Sequence, residues 1–175
     1  MNFKIFKIGF WKYSYVIYRT SNLIEKGYFK QAIDILENYL NTKEFITETI
    51  YYWLGSAYLG NKSFELAEKS LRVSIENQSD DDVYKANTYY LLGLVFYEEE
   101  KYDKSIIPLK KAISIKETLR SGRDVVISLS NLYLLLGKSY FRTDDKENAI
   151  QSYKRGLEID NDNIEIKNAL SAINK

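Results

Sequence analysis

Tyr89 to Phe96 reads YYLLGLVF, and the same construction returns as YYWLGSAY from Tyr51 to Tyr58 and as LYLLLGKSY from Leu132 to Tyr140. Twelve residues beyond each glycine sits a small side chain: Ala67 follows Gly55, Ser105 follows Gly93, and Ala149 follows Gly137. A fainter first copy sets Thr20 in the glycine position and Ala32 in the small one. A unit recurring on this scale marks stacked helix pairs, each of which completes its burial only against its neighbours.

The spacing has a physical logic. A bulky residue stands four before each glycine position (Val16, Tyr51, Tyr89, Tyr133) and another three after it (Leu23, Tyr58, Phe96, Tyr140), which puts both on one stripe of a first helix. Glycine between them clears a place for a second helix to approach. That helix supplies the small residue and, four later, Leu36, Leu71, Leu109 or Tyr153. The expected hairpin is antiparallel, with small residue against small and large against large. Ile33, Leu66, Ile106 and Ile150 face outward from single hairpins and are expected to be buried by stacking.

This pattern resembles the tetratricopeptide repeat over Tyr13 to Asn161. The family's usual leading Trp is replaced by Val16, Tyr51, Tyr89 and Tyr133, and its Leu-Gly pair is kept as Leu54-Gly55, Leu92-Gly93 and Leu136-Gly137. Its proline at the end of the second helix is missing from all four copies. The resemblance implies an all-α fold, a right-handed superhelix or α-solenoid of four antiparallel helix hairpins at about 13–44, 48–79, 86–117 and 130–161. A C-terminal capping helix in 162–175 follows the repeats, and an apolar, aromatic segment, 1–12, precedes them. Nine helices are expected, near 13–26, 29–41, 44–60, 63–77, 80–98, 101–120, 123–142, 145–159 and 163–174, with no sheet.

The copies lengthen along the chain, the small residues lying 35, 38 and 44 apart against a common period of about 34. Helical spacing of apolar residues continues on both sides of Ser121-Gly122, so the extra residues read as two lengthened helices and a short turn within Thr118 to Ser128. Longer copies of this kind look like those of some bacterial signal-sensing regulators and motor-protein light chains, which bind peptides. Pro108 falls inside the second helix of the third hairpin, where it lacks an N–H for the Lys104 carbonyl, and that helix is expected to bend or start late.

Composition narrows the function. At 175 residues and 45% hydrophobic, the chain can bury roughly 70% of its unfolded surface. It has neither cysteine nor histidine, which removes disulfides, thiol nucleophiles, the commonest general base and the usual transition-metal ligands. Gly9, Gly27 and Gly122 are isolated, so there is no glycine-rich phosphate loop. Asp80-Asp81-Asp82 reads as an N-cap with favourable first-turn charge and Glu98-Glu99-Glu100 as a helix-to-helix turn, not as metal ligands. No cofactor, metal or catalytic residue is expected. A net charge of +1 gives no general attraction to nucleic acid, and no apolar run approaches the ~20 residues of a spanning helix. A cytoplasmic location is expected.

The two ends differ. Asp160-Asn161-Asp162-Asn163 offers N-caps for a last helix with Ile166, Leu170 and Ile173 on its inner face, a solubilising cap of the kind terminal repeats need. The opening, Met1 to Tyr18, carries eleven apolar or aromatic residues from Phe3 onward, with Lys4, Lys7 and Lys12 its only charges. It reads first as an extension of the first helix that covers the end of the core, with self-association and membrane-surface contact as the other readings.

In the family the first helix of each pair lines an inner groove. Carried over onto this chain, the lining positions include Ser14, Ile17, Tyr18, Ser21 and Ile24 in the first copy and Leu59 in the second. The candidate partner-binding residues are Thr49, Tyr52, Trp53 and Ser56 in the second copy, Asn87, Tyr90, Leu91, Leu94 and Tyr97 in the third, and Asn131, Leu134, Leu135, Lys138 and Phe141 in the fourth. Lys138 is the one charge among them. Some relatives clamp a C-terminal carboxylate with lysine, arginine and asparagine, and the matching positions here, among them Ile17, Ser21, Trp53, Asn87 and Leu91, cannot neutralise one. The lining suits an apolar peptide or amphipathic helix whose backbone Asn87 and Asn131 would engage. The function expected is therefore a non-catalytic protein-protein interaction module, an adaptor or scaffold. The rivals are a membrane-peripheral assembly factor using residues 1–18 and a regulatory or neutralising partner of an enzyme or toxin.

Overall fold

The computed structural model describes residues 3–42, 47–78, 83–118 and 127–173, with side chains from Trp11 onward. The described residues form α1 (Phe3–Glu25), α2 (Phe29–Asn41), α3 (Glu48–Gly60), α4 (Phe64–Asn77), α5 (Val83–Glu98), α6 (Tyr102–Thr118), α7 (Leu129–Arg142), α8 (Lys146–Ile159) and α9 (Ile164–Ile173). No strand occurs among them. The all-α helical repeat is the expected one, and from α2 onward the starts and ends fall within a few residues of those read from the sequence, apart from those beside the undescribed segments. The expected starts at 44, 80 and 123, the Asp80-Asp81-Asp82 cap and the Ser121-Gly122 turn lie outside the described residues.

The chain divides into two compact units, Met1–Gln78 and Ser79–Lys175. In the first, α1 packs on α2 and α3, and α3 on both α2 and α4. Its core is Val16, Ala32, Ile33, Leu36, Tyr39, Ile50, Leu54, Ala57, Tyr58, Ala67 and Leu71. In the second, α5 pairs with α6 and α7 with α8, α6 packs on α7, and α9 docks on α7 and α8. Leu109, Ala112, Ile113, Leu132, Leu136, Tyr140, Ala149, Tyr153 and Ile166 hold that core together.

The glycines do what the spacing requires, with one change of partner. A Cβ on Gly55 would stand 2.6 Å from Leu71 Cγ, one on Gly93 2.7 Å from Leu109 Cγ, and one on Gly137 2.4 Å from the Tyr153 ring. Glycine therefore faces the large residue sixteen positions on, not the small one. Small meets small only through backbone: the Ala67 and Ser105 carbonyls lie 3.4 Å from the same points. In the first copy Thr20 is buried and turns its hydroxyl onto its own helix, 2.8 Å from the Val16 carbonyl.

The hairpin turn is a second repeated device. Seven residues after each glycine position the backbone is left-handed: Gly27 at φ 78°, Lys62 and Glu100 at 60°, Asp144 at 62°. The next N–H then reaches back five residues, Tyr28 to the Leu23 carbonyl at 2.8 Å, Ser63 to Tyr58 at 2.9 Å, Lys101 to Phe96 at 2.8 Å and Asp145 to Tyr140 at 2.9 Å. This is the Schellman closure, which satisfies carbonyls that the helix end leaves open. Three copies hold it with side chains that disfavour the conformation. Lys62→Gly is therefore expected to stabilise the chain by about 0.5–1 kcal/mol, and Gly27→Ala, whose Cβ would meet nothing within 4 Å, to destabilise it by about as much through backbone strain alone. Thermal melts of the two variants moving in the same direction would refute this account of the turn.

Several expectations need correction. α1 begins at Phe3, ten residues before the start read from the repeat, so that residues 3–12 extend the first helix, as the first reading of the opening has it. Its Tyr13 ring lies 6.4 Å from that of Tyr39, and its hydroxyl is 3.1 Å from Thr47 Oγ1. α6 does not start late: it runs from Tyr102 through a buried Pro108, which leaves a bend as the remaining expected effect of the proline. Leu66 is not covered by stacking and stays 46% exposed, whereas Ile33 is buried and Ile106 and Ile150 are half-buried.

Candidate functional site

Three helices of the second unit, α5, α7 and α9, converge on one concavity of about 540 Å³. Tyr90, Leu94 and Tyr97 line it from α5 and Leu134, Leu135, Asn131 and Lys138 from α7. All seven are candidates read from the sequence. They share it because positions three, four and seven apart fall on one stripe of a helix, and the opposite stripe of each helix is committed to the core. Leu134 and Leu135 are themselves core residues, and Tyr90, Leu94 and Tyr97 are half-buried against the same cluster. The floor is thus an apolar surface of the core.

The other candidates are placed differently. Thr49, Tyr52, Trp53 and Ser56 share one stripe of α3 in the first unit, half-buried, with the Tyr52 and Trp53 rings edge to face at 5.2 Å. Leu91 is buried, and Phe141 is exposed but is not among the residues lining the concavity. Asn87 departs from its expected part as a polar point of the groove: it is 1% exposed, with its Oδ1 buried and without a hydrogen-bond partner. Asn131 is exposed, and its Oδ1 lies 3.5 Å from Asn163 Nδ2. Asn163 in turn caps α9, its Oδ1 accepting from the Ile166 N–H at 3.1 Å.

Sequence reasoning missed one wall. Glu98, Asp162, Asn163, Ile164 and Glu165 complete the lining, most of them from the segment read as a cap. Treating α9 as a first helix without a partner, and extending the lining rule to it, would have found them. The rim they form is acidic. Lys138 Nζ lies 3.3 Å from Glu165 Oε2 and Lys167 Nζ 3.8 Å from Asp162 Oδ1, which leaves Glu98 as the acid of the lining outside these pairs. Burial, and then the Glu98 charge, hold the Tyr90 phenol above its usual range. Burial does the same first for Tyr97. Both phenols are therefore neutral, hydrogen-bonding surfaces at ordinary pH.

Among the described residues no group of three or more Asp, Glu, His or Cys is placed to hold a metal. Glu99 pairs with Lys101, and Glu100 occupies the left-handed turn position. The arrangement presents an apolar, aromatic floor with charged groups at its edge.

Two tetratricopeptide repeat profiles match the chain, over residues 46–118 and 130–163. Regulatory protein RapK of Bacillus subtilis (strain 168) is 28% identical over 149 residues, which cover 83% of this chain and 38% of RapK, so the chain spans well under half of that relative's length. Among solved structures the MamA protein is similar with a TM-score of 0.67 and 25% identity, over 83% of this chain and 72% of MamA. YrrB, described as a TPR protein with an unusual peptide-binding site, is similar in fold with a TM-score of 0.69 and 16% identity, over 86% of this chain and 70% of YrrB. Repeated glycine contacts, repeated Schellman turns and these matches agree, and the chain belongs to the tetratricopeptide repeat family.

Proposed function

We propose that this chain is a non-catalytic protein-interaction module whose second unit holds an apolar peptide or helical segment of a partner in the concavity between α5, α7 and α9. The observation that carries the reading is the combination of a core-backed apolar floor with an acidic rim. Leu94, Leu134 and Leu135 offer burial, Tyr90 and Tyr97 add aromatic area with polar tips, and at the rim three acids, Glu98, Asp162 and Glu165, stand against Lys138 and Lys167, which pair with Glu165 and Asp162 and leave Glu98 over. Aromatic anchors concentrate binding energy at such surfaces. Rim charge chiefly sets specificity and association rate, so the favoured segment carries Lys or Arg beside its apolar residues. A C-terminal carboxylate has no cationic clamp here. The likeness to a regulatory protein favours a regulatory partner over a purely architectural one.

The reading is tested with Tyr90→Ala combined with Asn131→Ala, against an outward control of Lys111→Ala with Lys154→Ala, both exposed on α6 and α8. Segments are selected from a displayed peptide library on the full chain. Recovered segments should be apolar with basic flanks, and the groove variant should bind them about 30- to 700-fold more weakly than the control, from roughly 1–2 kcal/mol for each of the two lost contacts. Equal binding by a folded groove variant and the control, or recovery of acidic segments, would overturn it.

A further inference from the structure

A second surface, independent of the groove, lies on α1. Trp11, Tyr15 and Tyr18 are 72%, 59% and 70% exposed. Spaced four and three apart, they form one helical stripe, while the residues that α1 buries, Val16 and Thr20, lie on the opposite side. Lys12 and Arg19, both exposed, flank the stripe. By sequence spacing Lys4 and Lys7 fall seven and four residues before Trp11, in the same helical register.

Charge along the chain is divided in the same place. Met1 to Ile24 contains four basic residues and no acidic one, whereas Glu25 to Lys175 holds all 24 acidic residues and the other 21 basic ones. A chain whose net charge is +1 is therefore +4 over residues 1–24 and −3 elsewhere. Large aromatics set in water beside cations, opposite a buried face, are an arrangement that solubility does not explain.

We propose that the outer face of α1 docks on an anionic lipid surface, with the helix lying in the plane of the headgroups. Two features favour a bilayer over a protein partner. Tryptophan and tyrosine place an apolar ring and a polar N–H or O–H at adjacent depths, which matches the boundary between acyl chains and headgroups. The cations and the absence of any acid over 24 residues demand a partner that is anionic along the whole stripe, which a leaflet of anionic lipid supplies. Contact lies on the surface, because among the described residues no helix is long and apolar enough to cross a membrane.

The experiment is co-sedimentation of the full chain with vesicles of phosphatidylcholine plus phosphatidylglycerol, against vesicles of phosphatidylcholine alone. Trp53→Phe leaves Trp11 as the only indole, so its fluorescence reports insertion. Expected are binding to the anionic vesicles only, a blue shift of Trp11, loss of binding in high salt, and at least an order-of-magnitude loss in the Trp11→Ser, Tyr15→Ser, Tyr18→Ser triple variant. All three residues are exposed, so the triple variant should keep its helical circular dichroism, and Lys12→Glu with Arg19→Glu tests the charge separately. The groove variant Tyr90→Ala, Asn131→Ala should still bind vesicles, which separates this proposal from the groove reading. Failure of the parent chain to bind anionic vesicles at low salt would overturn it. So would a folded triple variant that binds as well as the parent, or one that loses only self-association.

Discussion

Gly93→Leu should strongly destabilise the second unit. The Cβ that any side chain adds at this point stands 2.7 Å from both Leu109 Cγ and Cδ2, and 3.4 Å from the Ser105 carbonyl. Leu109 is fully buried, so its side chain has no open space into which to swing. Helices α5 and α6 would have to separate, and overpacking of this kind costs ~1–3 kcal/mol, more when two backbones must move. A loss near the top of that range lowers the melting temperature by roughly 10 °C or more in a unit of this size. Pro108→Ala, by contrast, restores an N–H in a helix that already runs through the site and should cost little. The decisive measurement is a double-mutant cycle: Leu109→Ala opens the space, so Gly93→Ala should cost much less on that background than on the parent. Strict additivity would show that the crossing is not held by this contact.

The glycine's place at a close helix crossing was legible in the sequence, because glycine and the small residue twelve later recur at fixed offsets in three copies. Its partner was misread: spacing says which residues share a crossing, but whether small faces small depends on the offset of two helices along their axes, which the sequence does not state. The turns show a related limit. Helix ends were found closely because apolar periodicity stops there, yet the left-handed residue went unnoticed, since Lys62, Glu100 and Asp144 are not glycine and carry no signal. Their register, seven after each glycine position, is visible only once φ is known. Asn87 failed for a different reason. A lining rule carried over from a family fixes which stripe a residue occupies, while burial depends on what else packs over that stripe. Tyr90, Leu94, Tyr97 and Leu134 line the concavity because the flank on which they sit is bounded by α9 and not covered by it.

Ile166→Ala should therefore do more than weaken a cap. Ile166 is the fully buried residue of α9, and its Cδ1 lies 2.5 Å from where a Cβ on Gly156 would be, inserted against α8. Truncating a buried isoleucine costs about 2–5 kcal/mol. A ten-residue helix has little stability of its own, and Ala169, Leu170 and Ile173 are only half-buried against the core. Most of that cost should thus appear as local detachment of α9, not as global unfolding. Hydrogen exchange is expected to show amides of Ile164–Ile173 losing protection while those of α5 to α8 keep theirs. Detachment also removes Asn163, Ile164 and Glu165 from the concavity and frees Lys138 from its ion pair. Segments recovered on the parent chain should then bind at least as weakly as they do to the Tyr90→Ala, Asn131→Ala variant, and with less preference for basic flanks. If α9 detaches and affinity is unchanged, the acidic rim takes no part in recognition and the helix serves only to cover the end of the core. If α9 keeps its protection, Ile166 is not its anchor, and the docking rests on the half-buried residues beyond it.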